Sequence, residues 1–140
     1  MADRYTQLGA ALLRVSLGFS FFAYGYFLKY QTFTPAGTAQ YFTSIGYPAF
    51  LAYLVIAAEI LGGLALIFGV ATRVVALGLI PLMIGATLQH VGNGWVFSAN
   101  GGGWSYPALW TVLLVVQALL GSGRFAVGSL LKQRLGPIAA

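Results

Sequence analysis

Glu59 is one of only two acidic residues in a chain of 140, and it stands inside a long apolar run. Counted from Phe50 at 1.5 Å per helical residue, it lies ~13 Å into that run, close to mid-bilayer, where an unpaired charge is costly. Val55, Gly62, Gly63 and Leu66 lie three, four and seven positions away, so the carboxylate shares a face with small residues that admit another helix. Arg14 has a similar setting, with Ala10, Ala11, Gly18, Phe21 and Gly25 on its face. Its height, counted from Leu8, falls within ~7–8 Å of Glu59, which predicts a buried Arg14–Glu59 pair. Gln117, in a later segment at a similar depth, is an alternative or additional donor. Such a carboxylate can accept a proton or hold a ligand; equally, the pair can serve packing and orientation alone.

A second polar group gathers near one end of the same runs: Tyr24, Tyr26 and Lys29, then Gln89 and His90, then Asn93, Asn100, Trp104 and Tyr106. A few polar groups set in aromatic walls are the usual make-up of a small-molecule site, here at a depth that a lipid-soluble ring such as a quinone can enter. The candidate quinone-binding residues are Tyr24, Lys29, His90, Asn100, Trp104 and Tyr106. His90 can donate to one ring carbonyl and Tyr24 or Tyr106 to the other, while Lys29 attracts an anionic substrate to the mouth. The alternative is an interfacial belt of amphipathic side chains, which suits Tyr26, Tyr41, Tyr47 and Trp110. His90 is the chain's single histidine and there is no cysteine. No metal site is therefore expected, and disulfide exchange, thiolate nucleophiles and cysteine-held iron–sulfur clusters are excluded. No catalytic residue can be assigned, and any electron carrier must be borrowed, as a quinone or a partner protein.

The elements that position these residues follow from composition. Seven basic and two acidic residues make 6% of the chain charged, where a soluble domain spends about 25%. With 59% hydrophobic residues and a mean hydropathy of +0.86, the class is a polytopic membrane protein with the lipid bilayer as its main partner. Apolar segments over residues 8–28, 50–70, 74–91 and 107–125 predict a single all-α domain, an antiparallel bundle of four transmembrane helices spanning 1–140. The first segment is too long for a signal-peptide core and holds Arg14, so it reads as an uncleaved anchor. The short Ala71-Thr72-Arg73 turn forces a hairpin between the second and third segments. Between the first and second, Thr34 can cap a short amphipathic helix beginning at Pro35, with Thr38, Phe42 and Ile45 on one stripe and Gly46 as the stop, lying at the interface.

With four crossings, Arg4, Arg14, Arg73, Arg124, Lys132 and Arg134 fall on one side and only Lys29 on the other. That bias places both termini in the cytoplasm. Every Trp, and every Tyr except Tyr5, falls in or near the opposite half. The net charge of +5 is thus topological, and no nucleic acid is needed to explain it.

The segments LLRVSLGFSFFAYGYFLKY, GTAQYFTSIGYP, AAEILGGLALIFGVATR and HVGNGWVFSANGGGWSYP, leading to GSGRFAVGSLL, resemble the DoxX family of small four-helix bacterial membrane proteins over nearly the whole chain. The most specific element is Glu59, Gly62 and Gly63 followed by Thr72-Arg73. The resemblance places Arg14, Glu59, His90, Asn100, Gly101 and Tyr106 on recurrent family positions. It also implies a bacterial cytoplasmic (inner) membrane location. Many relatives resemble AHGxxK near the end of the first helix, where this chain has Tyr24 before Gly25. Many also have GGxEYP, where this chain has Ser105; both departures remove ionisable groups from the outer site. The family is linked to quinone-coupled oxidation of thiosulfate and to membrane complexes that handle redox stress. Three functions stay open: a quinone-interacting membrane subunit or partner of an oxidoreductase, with a redox partner protein or a second copy of the chain alongside; a non-enzymatic scaffold or assembly factor; and a small-solute or proton pathway.

Overall fold

The computed structural model describes residues 3–96, 98 and 103–128. Helix α1 (Arg4–Phe22) opens on Asp3, whose carboxylate accepts the Thr6 N–H at 2.7 Å; these bonds from Thr6 hold the Asp3 carboxyl below its ordinary range. α1 continues without a break into a ten-residue π-helical segment, Ala23–Thr32. Thr34 then caps α2 (Pro35–Ser44) by accepting the Gly37 N–H at 3.1 Å, with Pro35 in the first turn, as the sequence predicts. α3 (Ala49–Phe68) stops at Gly69, where φ of +76° suits a residue without Cβ. α4 (Thr72–His90) contains Pro81 and ends in a short 3₁₀ turn, Val91–Asn93. α5 (Ser105–Leu120) ends at Gly121, with φ of +81°.

Among the described residues, three helical stretches are long and apolar enough to cross a membrane: Arg4–Thr32, Ala49–Phe68 and Thr72–Asn93. α5 is apolar but has 16 residues and stops five short of the predicted end at Phe125. Gly121 and Gly123, both at positive φ, turn the chain back beneath the bundle. The Arg124 N–H then meets the Gln7 carbonyl, and the Gly128 N–H donates to the Gly69 carbonyl at 2.9 Å. The helices pack as two close pairs, α1 with α3 and α4 with α5, with α2 laid against α3 and the π-helical segment.

Glycines set the first pairing. A Cβ on Gly18 would come within 2.7 Å of the Gly63 carbonyl oxygen, and one on Gly63 within 2.6 Å of the Phe22 nitrogen. Neither backbone has a side chain to move aside, so this crossing requires both glycines. Between the pairs lies the core of Leu17, Phe21, Leu66, Ala76, Leu79, Met83 and Leu114. Leu12, Phe19, Leu61, Phe68, Leu77, Leu88 and Leu119 point outward and are exposed. An apolar exterior of this extent suits lipid rather than water.

Candidate functional site

A cavity of about 530 Å³ opens between the two helix pairs, beneath α2. Its inner end is made by Glu59 of α3, which is 4% exposed and therefore needs a partner. That partner is Lys29, whose Nζ donates to both carboxylate oxygens at 2.9 Å. Gly25 makes the pairing possible. A Cβ there would lie 2.8 Å from the Glu59 Cβ, so α1 closes on α3 at this level and the next π turn carries Lys29 over the carboxylate. The ammonium also sits 5.6 Å from the centre of the Tyr24 ring, which meets Trp110 of α5 edge-on at 5.1 Å. Thr38 of α2, whose hydroxyl donates to the Thr34 carbonyl at 2.9 Å, also lies 3.4 Å from the Lys29 carbonyl oxygen above the pair.

The second polar end of the cavity lies where α4 finishes and α5 begins. His90 Nδ1 is 2.7 Å from the Ala86 carbonyl oxygen, which can only accept, so Nδ1 carries the hydrogen. Nε2 of the neutral ring is then an acceptor, and it faces the Tyr106 hydroxyl at 3.3 Å. In this tautomer Tyr106, not His90, is the donor of the pair. Gln89 donates to the Tyr47 hydroxyl at the rim. Phe21, Leu51, Val55, Ala58, Leu82, Met83 and Ala86 supply apolar walls between the two ends.

The structure brings Tyr24, Lys29, Glu59, His90 and Tyr106 to one cavity. Trp104 does not line it; its ring stands edge-on to Trp95 at 4.6 Å. Asn100, like Gly101, lies outside the described residues. Among the described residues no three of His, Cys, Asp and Glu are grouped for a metal.

The expected Arg14–Glu59 pair is not formed. Arg14, 1% exposed, spends its guanidinium on main-chain carbonyls: Nε on Ser122, Nη1 on Leu66 and Ile67, and Nη2 on Arg124 and Phe125. Counting depth from an apolar boundary misplaced α1, because its rod runs 29 residues and overshoots the bilayer core. Gly18 sits at Gly63, so Arg14 falls beside Leu66 and Ile67, ~11 Å along α3 from Glu59. Gln117 belongs to this lower cluster too, donating to the Ala10 and Gly121 carbonyls rather than to Glu59. Sequence reasoning thus missed Lys29 as the partner of Glu59, having set it at the aqueous mouth.

A family model described as DoxX matches residues 9–92. The chain is also 43% identical over 82 residues to "Putative oxidoreductase CatD" of Bacillus subtilis (strain 168), a match covering 59% of this chain and 59% of that protein. No solved structure matches it significantly. The matched stretch holds the Gly18–Gly63 crossing, the Lys29–Glu59 pair, Arg14 and His90, and over that stretch, more than half of its length, the chain belongs to the DoxX family of membrane proteins.

Proposed function

We propose that the protein is the quinone-binding membrane subunit of an oxidoreductase, with α5 as a fourth crossing, α2 lying at the interface and both termini in the cytoplasm of a bacterial inner membrane. The observation that carries this reading is the cavity itself: an apolar, aromatic-walled space with hydrogen-bonding groups at two separated ends. The name of the Bacillus subtilis relative supports the oxidoreductase class.

The residues fit a quinone ring. Two of the Lys29 N–H groups are spent on Glu59, and the third is left to meet a ring oxygen. At the other end, a proton taken up at His90 Nε2 turns that nitrogen into a donor to the Tyr106 oxygen. The Tyr106 hydroxyl hydrogen is then free to turn toward the cavity. A bound quinone supplies the redox chemistry, taking two electrons and two protons. The chain binds and orients the ring and holds protons at Glu59 and at His90 Nε2. With no cysteine to ligate a cluster, the chain receives electrons from a partner protein or substrate.

The test is purification in a mild detergent, with extracted lipids and quinones identified by mass spectrometry. Wild type should retain quinone near one per chain. The double variant His90→Leu, Tyr106→Phe should lose it while keeping the wild-type melting temperature, because both side chains border the cavity rather than the core cluster. A wild-type protein that retains none, and takes up none when menaquinone or ubiquinone is added, sinks the reading in favour of a membrane scaffold.

A further inference from the structure

The cavity is unevenly closed. Glu59, Phe21 and Met83 at its inner end are buried, whereas Leu54 is 57% exposed and Pro81 is also open. Leu54 and Pro81 belong to α3 and α4, so the opening lies in the seam between these helices. Farther along, the same seam is shut: a Cβ on Gly62 would touch Leu79 at 3.3 Å. Past that contact α4 presents Pro81 and Gly85, and a Cβ on Gly85 would meet nothing within 4 Å. Phe42 of α2 and Ile45 just after it lie over the end of the seam. The cavity is also open at its polar rim, where Tyr41, Tyr47 and Gln89 are exposed, but the seam is the opening that runs across helices whose outer faces are apolar.

We propose that this α3–α4 seam is a lateral portal, and that the ligand is an amphiphile whose polar ring lies toward Lys29 and Glu59 while an apolar tail passes between Leu54 and Gly85 into the bilayer. The inference rests on the quinone reading and adds to it the route of entry, the need for a tail and Gly85 as the residue that keeps the route open. A ring at the inner end sits beside the ion pair, and an apolar path from there to the exterior runs past Gly85 and Leu54. The tail stays in apolar surroundings along this route, so the ring reaches the ion pair without the tail meeting water.

Gly85→Leu tests this directly. The new side chain points into open space, and leucine is a better helix former than glycine, so the variant should fold at least as well as wild type. Gly78→Leu is the control, on the same helix and equally uncrowded but outside the cavity lining. Binding is read by quenching of Trp110 fluorescence in a Trp95→Phe, Trp104→Phe background, with two probes sharing one ring, a decyl-tailed benzoquinone and its tail-less parent. Gly85→Leu should weaken the tailed probe by about tenfold, because the leucine fills the space through which the tail leaves, and change the tail-less probe less than about twofold. Gly78→Leu should change neither. Equal effects on both probes in Gly85→Leu, or no effect on either, would overturn the lateral portal while leaving the quinone reading standing. Failure of the wild type to bind either probe overturns both.

Discussion

Replacing Arg14 is expected to be among the most damaging single changes in the chain. Its five N–H groups meet five main-chain carbonyls, four of them at 2.8–2.9 Å and the Phe125 oxygen at 3.4 Å. Leu66 keeps a second donor in the Gly69 N–H, so its carbonyl survives the loss. The carbonyls of Ile67, Ser122 and Arg124 lose the donors they have here. At about 1–3 kcal/mol per stranded buried acceptor, tempered by relaxation at the partly exposed Ser122–Phe125 turn, Arg14→Leu should cost about 3–5 kcal/mol. Arg14→Lys keeps the charge but offers three N–H groups from one point instead of a planar fork, so it should recover only part of that. Reversible unfolding in mixed detergent micelles, followed by tryptophan fluorescence, measures the difference. Trypsin cleavage after Arg124 gives a local readout, since releasing that carbonyl should quicken the cut. A fall in stability below about 1 kcal/mol with unchanged cleavage would refute the carbonyl clasp.

Other expectations follow from the same geometry. Glu59→Gln leaves the Lys29 ammonium without its countercharge and should cost about 3 kcal/mol, and Lys29→Met in the same chain should restore part of it; a double-mutant cycle that is additive would deny the ion pair. The corresponding cycle between Arg14 and Glu59 should be additive within about 0.5 kcal/mol, and strong coupling there would contradict the structure. Gly63→Val should cost about 3 kcal/mol or more by driving α1 from α3, seen as loss of folded protein in thermal scans of detergent extracts, whereas Gly78→Ala should be neutral or slightly stabilising. Reporters placed at the N-terminus and at the Arg73 turn should label from the cytoplasmic side and one beside Trp95 from the outside; the reverse pattern would reject the orientation read from the basic residues.

Much of the architecture was legible because membrane helices announce themselves in apolar runs and punctuation. Thr34, Pro35 and Gly46 bracketed α2, and the small-residue faces around Arg14 and Glu59 are the faces along which α1 and α3 meet. The depth of residues along α1 was not legible in the same way. Depth counted from Leu8 assumes an α-helix trimmed to the bilayer, yet the rod begins at Arg4 and changes pitch at Ala23. A π turn bonds five residues back, so side-chain directions beyond Ala23 depart from those an α-helical count gives. That shift turns Lys29 from the mouth to the buried carboxylate. At the end of α5, hydrophobicity continues through Phe125 and Ala126, whereas Gly121 and Gly123 end the helix before them. Trp104 is near the site in sequence only, and its ring turns instead to Trp95.

The Arg14 clasp also sets an order on biosynthesis. Its Nε and Nη2 partners lie 108 to 111 residues downstream, so α1 enters the membrane carrying a guanidinium whose acceptors have not been made. Leu66 and Ile67 arrive with α3 and satisfy one nitrogen; the remaining donors wait until the chain has passed Phe125. A nascent chain stopped at Leu120 would hold α1 to α5 and still carry a half-satisfied guanidinium. The turn after α5 therefore completes a site that the helices alone leave open.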